Sequence, residues 1–114
     1  MSKPKETLFL ILNAKWFEMI RQGTKKEEYR KCGKHWEAQI WRHRDTLKRV
    51  IFQLGYNKNY RIEFEIECIS HYTPNKFEKM KLNRSNIWKS SLVPVWGFDI
   101  DVSQYVIRLG KRLS

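Results

Sequence analysis

Cysteine, proline, glycine and long apolar runs are all sparse in this chain, and each shortage removes a class of protein. Its two cysteines, Cys32 and Cys68, are far apart and form no C-x-x-C pair. Neither a zinc site nor a dithiol redox motif is indicated, and both read as reduced thiols. Three prolines and five glycines are too few to build a linker, and 114 residues is the ordinary size of one domain, so residues 1–114 read as one unit. The apolar run TLFLIL, residues 7–12, is far too short to span a bilayer, and no small-residue cleavage site follows it. A cytoplasmic address without a membrane partner is the expectation. There is no glycine-rich phosphate loop, no G-x-S-x-G elbow and no metal-ligand cluster in the sequence, so neither a cofactor nor a metal is expected.

Acidic residues are also in deficit: 12 Asp and Glu stand against 23 Lys and Arg, a formal charge of +11. A surplus of that size attracts polyanions through steering and counterion release, which makes nucleic acid the first partner to consider. The plainer alternative is that lysine keeps a small protein soluble. What is present in quantity is apolar and aromatic: 41% hydrophobic residues and 14% aromatic, with five tryptophans, enough for a core without staples.

Along the chain, TLFLIL has the length and continuity of a strand buried on both faces. Asn13 is a helix cap, residues 14–22 put Trp16, Phe17, Met19 and Ile20 on one broad side, and Gly23 ends the helix. Residues 27–31 alternate as a strand, and after Gly33 residues 34–43 carry Trp36 and Ile40 four apart as a second short helix. Residues 48–54 read as a strand, GYNKN as a hairpin turn, and from Tyr60 onward Ile62, Phe64, Ile66 and Cys68 alternate with Glu63, Glu65 and Glu67. That pattern is a half-buried antiparallel strand with an acidic outer face. Residues 71–91 show no clean period and read as a long loop; Tyr105, Ile107 and Leu109 then mark a final strand. The tight hairpin and the irregular order of elements favour antiparallel pairing, in a small curled sheet or barrel of the α+β class with helices on its flank.

One stretch concentrates charge of both signs: GTKKEEYRK, residues 23–31. Arg30 offers a planar fork, Lys25 a point charge and Glu28 an acceptor, which together can hold a polar ligand. Glu28 and Arg30, two apart, share a strand face, whereas Lys25, three before Glu28, does not. Lys25 is therefore expected in the turn after Gly23, ahead of regular pairing, where its ammonium can swing toward Glu28. The competing structural reading is a surface strand whose charges pair across neighbours at about 1 kcal/mol or less each.

The order glycine, x, lysine, x, x, glutamate, x, arginine, here Gly23, Lys25, Glu28 and Arg30, resembles the signature of the ASCH domain family. The flanking segments KWFEMIRQG, GKHWEAQIW, VIFQLGY and YVIRLGK are similar to those of small bacterial and phage members. The resemblance implies a PUA-like, twisted and mostly antiparallel β-barrel with short flanking helices, and a cleft beside it lined by the motif and sized for a nucleotide or a nucleic-acid strand.

Two functions follow from these readings. The first is binding of RNA or a nucleotide, by a monomer or weak dimer. Ligand-site residues are then Gly23, Thr24, Lys25, Glu28 and Arg30, with Trp96 and Arg108 from the C-terminal part. Arg42, Arg44, Lys48 and Arg49 in RHRDTLKR, with Lys76, Lys79, Lys81 and Lys89, are the candidates for neutralising phosphates. Trp41, Trp88, Trp96 and Tyr56 are candidates for base stacking, whereas Trp16 and Trp36, at helical spacing, are expected in the core. The second is hydrolysis. One bacterial branch of the family acts as an amidohydrolase on acetylcytidine with a lysine, a threonine and a later glutamate. Lys25 matches the lysine, Glu28 stands at the threonine and Glu78 is the nearest candidate for the later glutamate. A desolvated lysine near Arg30 can act as a base, but Glu28 beside it favours the ammonium, so Lys25 reads better as a positioning charge. Some members of the family are ribonucleases, yet His35, His43 and His71 are scattered here and form no catalytic pair.

Overall fold

The computed structural model describes residues 4–74, 97–99 and 101–114. Five strands form one sheet in the order β1-β3-β4-β5-β2, with β1 at Thr7–Leu12, β2 at Glu27–Lys31, β3 at Arg49–Leu54, β4 at Arg61–Tyr72 and β5 at Gln104–Arg112. Helix α1, Ala14–Arg21, and helix α2, Lys34–Gln39, fall between β1 and β3. That intervening chain is needed because β1 and β3 run parallel, which no hairpin can connect. Every other pairing is antiparallel. The architecture is thus mixed α+β, a curled half-barrel sheet with two short helices.

The curl originates in β4. Its N-terminal half pairs with β3, most of its length pairs with β5, and two register shifts, between Phe64 and Ile66 and between Ile66 and Cys68, interrupt the second ladder. Such irregularities bend a strand and raise its twist. Leu8, Leu10, Leu12, Val50, Phe52, Ile62, Phe64, Tyr105, Ile107 and Leu109 fill the inner side of the sheet, where Phe17 and Ile20 of α1 close over them.

The sequence reading of the elements holds with four corrections. TLFLIL is buried on one face only, since Phe9 and Ile11 are 43% and 41% exposed; β1 is an edge strand, and among the described residues no layer covers its outer side. The second helix stops at Gln39 and a single 3₁₀ turn, Trp41–His43, follows. Ile40 is fully buried at the joint, and Trp41 leaves the helical path to stack on Tyr105, with ring centroids 5.5 Å apart. Cys68 is exposed because the register shifts before it break the alternation. His71 and Tyr72 belong to β4, so the expected loop begins later, and its remainder from residue 75 lies outside the described residues.

These burials set a stability expectation. Phe52→Ala empties the centre of β3 and should cost about 3–5 kcal/mol, whereas Phe9→Ala on the exposed face should cost about 1 kcal/mol or less; urea midpoints of the two variants check the order.

Candidate functional site

Helix α1 opens on Asn13, whose side chain accepts a hydrogen bond from the Trp16 amide at 3.1 Å, and closes on Gly23 with φ +83°. The Gly23 amide donates to the Ile20 carbonyl at 3.1 Å and the Thr24 amide to the Met19 carbonyl at 2.9 Å, a Schellman closure. The Lys25 amide also reaches Met19, at 3.0 Å. This wrapped turn carries Lys25 under the sheet before β2 begins at Glu27, as its spacing required.

Lys25 is among the largest fully buried side chains of the described residues, at 1% exposure. Its ammonium lies 3.0 Å from Glu28 Oε1, donates to the Glu27 carbonyl, and faces the rings of Tyr29 at 4.5 Å and Trp16 at 5.4 Å. Glu28 sits opposite Ile107 and Arg30 opposite Tyr105 in the β2–β5 register, so both side chains turn toward the inner side of the sheet. The other Glu28 oxygen, Oε2, is 2.8 Å from an Arg30 terminal nitrogen, which also donates to the Ile11 carbonyl of β1 at 3.3 Å. Strands β1 and β2 are the two edges of the sheet, and Arg30 bridges the seam between them. Its guanidinium stands 5.1 Å from the Trp36 ring, and its Nε is buried without a hydrogen-bond partner among the described residues.

Burial pushes the Lys25 pKa below the usual lysine value, with Arg30 adding to the shift, while the ion pair and hydrogen bond to Glu28 and the charge of Glu27 oppose it. Burial also pushes the Tyr29 phenol far up, helped by Glu27, to which it donates at 2.9 Å.

Above this trio the seam opens into a cleft of about 320 Å³, lined by Ile11, Leu12, Asn13, Trp16, Glu28, Tyr29, Arg30 and Gly97. Gly97 has φ +86°, and a Cβ there would come within 3.0 Å of the Trp16 ring, so only glycine lets this backbone lie against the indole. The volume suits one small organic group, at the low end of ligand pockets in general.

The motif residues Lys25, Glu28 and Arg30 are therefore brought together, and Gly23 and Thr24 form the turn that delivers them. Arg108 lies on the other side of Lys25 from this cleft, half exposed and 3.6 Å from Glu67. Glu78, Trp88 and Trp96 lie outside the described residues, as do Lys76, Lys79, Lys81 and Lys89. The run RHRDTLKR does not present a row of unengaged cations. Arg42 is 3.6 Å from Glu37, and Lys48 is 3.5 Å from Glu6. Arg44 hydrogen-bonds the Trp41 carbonyl at 2.8 Å, and Arg49 bonds Thr7 at 3.0 Å and stands 3.7 Å from Glu63. Trp16 and Trp36, expected in the core, are only partly buried, because the cations of the trio lie against their rings. Trp41 is partly buried too, between Tyr105 and His71. The sequence offered one hint for Trp16, its place on the helix that ends at Gly23; nothing marked Gly97 or Ile11.

Comparison with protein-family models, with curated proteins and with solved structures returns no match.

Two outcomes test the buried trio. Glu28→Gln leaves two buried cations facing a neutral amide and should cost about 3–5 kcal/mol, more than Lys25→Met, when compared by urea unfolding. Between the lowered Lys25 pKa and 10.5 the unfolded chain holds this proton more tightly than the folded one, so stability from this group rises with pH across that window. Lys25→Met should lack that rise, and unfolding midpoints from neutrality to pH 10.5 measure it.

Proposed function

We propose that this chain is a protein of ASCH type on a PUA-like barrel, acting in the cytoplasm, whose seam cleft binds RNA or a nucleotide. The observation that carries the reading is the Glu28–Arg30 pair at the floor of a cleft roofed by Trp16, with Arg30 Nε lacking a hydrogen-bond partner among the described residues. A nucleobase offers what such a site recognises: a flat π-face for an indole and edge donors and acceptors for a carboxylate and a guanidinium. The chain as a whole carries +11, so an anionic ligand is favoured at long range. The cleft holds about one base, which favours a single strand or a free nucleotide over a duplex.

Hydrolysis of a modified nucleoside such as acetylcytidine is the second reading, favoured by the burial that lowers the Lys25 pKa. It ranks second because Lys25 does not line the cleft: its ammonium is spent on Glu28 and the Glu27 carbonyl, behind the cleft wall. Lys25 acts in this reading of the site as the charge that orients Glu28.

Titration of a labelled single-stranded RNA into wild type and Arg30→Lys tests the first reading. The lysine keeps the charge but loses the fork, and roughly tenfold weaker binding is expected. Equal affinity in a folded variant would remove Arg30 from recognition, and binding indifferent to salt would remove the electrostatic part. Acetate release from acetylcytidine, abolished by Lys25→Ala, would promote the hydrolase reading instead.

A further inference from the structure

A second depression, of about 400 Å³, opens at the C-terminal end of α1, on the other side of Lys25 from the cleft. Its floor is apolar, from Ile20, Phe64 and Leu109, and its rim carries Lys26, Arg108 and Glu67. We propose that this depression holds a backbone phosphate of the same ligand, so that the protein takes an oligonucleotide laid along α1 and not a lone nucleoside. The proposal rests on the nucleotide-binding reading of the cleft.

Three observations carry it. The two depressions share no lining residue but lie on either side of the Lys25–Glu28 pair. Trp16 borders the first and Ile20 the second, four residues apart on one face of α1, whose eight residues span about 12 Å. Lys25 lines the second depression while its ammonium touches Glu28 of the first at 3.0 Å, so the wall between them is one ion pair thick.

The charge is also right for phosphate. Lys26 and Arg108 face one carboxylate, Glu67, while the Lys25 ammonium is already paired with Glu28. The Arg108–Glu67 pair is loose, 3.6 Å long with the two side chains 51% and 58% exposed, and Lys26 makes no ion pair among the described residues. An arginine fork and a lysine point charge over an apolar floor are suited to a phosphate with its attached sugar. Finally, Lys26 and Arg108 line the depression next to the cleft, whereas Arg42 and Lys48, whose pairs with Glu37 and Glu6 are as loose as that of Arg108 with Glu67, line neither depression.

Fluorescence anisotropy with a labelled short single-stranded RNA, and competition by the unlabelled nucleoside and its monophosphate, decides the matter. Lys26→Gln/Arg108→Gln is compared with Lys34→Gln/Lys58→Gln, which removes equal charge from exposed positions elsewhere; thermal unfolding confirms that both are folded. The first variant is expected to lower the ratio of oligonucleotide to nucleoside affinity about tenfold and to reduce the salt slope by about 0.7, the value for one phosphate on a single strand. The control is expected to change the ratio by less than about twofold. Equal ratios and slopes in the two variants would overturn the proposal, as would wild type binding nucleoside and oligonucleotide alike. Wild type binding neither overturns the reading of the cleft itself, an outcome visible before any variant is made.

Discussion

Glu28 is held nearly buried between two cations at the floor of the seam cleft, and the geometry of the molecule around β1 and β2 follows from that carboxylate. Removing three ionised groups from water costs several kcal/mol each unless every oxygen and donor is engaged. Here each Glu28 oxygen takes one cation, Lys25 on one side and Arg30 on the other. Arg30 then reaches the Ile11 carbonyl, so a side chain joins the two edges of a sheet that share no backbone ladder. The half-barrel is tied at its seam by the same groups that make the seam polar.

Aromatic rings complete the arrangement. Trp16, Tyr29 and Trp36 lie against the Lys25 ammonium and the Arg30 guanidinium at cation–π distances, and replace hydration that burial removes. They also keep the local dielectric low, which strengthens each ion pair and any contact a ligand makes in the cleft. A nucleotide at the seam would meet a surface preorganised by internal contacts, and a phosphate in the neighbouring depression would be felt at Glu28 through Lys25. Binding in one depression would then be electrically coupled to the other.

Much of this was legible beforehand, and for specific reasons. Asn13 and Gly23 bracket α1 because capping and left-handed closure are local properties of the chain. The β3–β4 hairpin and β5 were legible from alternation, and Lys25 was placed correctly by the parity of its spacing from Glu28. The exposure of Phe9 and Ile11 was not, since a continuous apolar run reads the same whether one face or two are covered. Cys68 was missed because a register shift leaves no mark in composition. Trp16 and Trp36 carried a helical period that fits a core equally well, and only the cations that reach their rings set them at the site.

The amino-acid sequence by itself determined the local elements, the excess of positive charge and the grouping of Lys25, Glu28 and Arg30, because each depends on residues a few positions apart. The tertiary structure alone decided that β1 pairs parallel with β3, that β1 and β2 meet across a seam, and that Trp16 and Gly97 close the cleft from segments some eighty residues apart. It also set Arg42 and Lys48 of RHRDTLKR beside Glu37 and Glu6 and brought Lys26 and Arg108 to one depression. Those outcomes turn on which strand edges meet and how far β4 bends, and such long-range geometry is fixed by packing across the whole sheet and not by any short window of the chain.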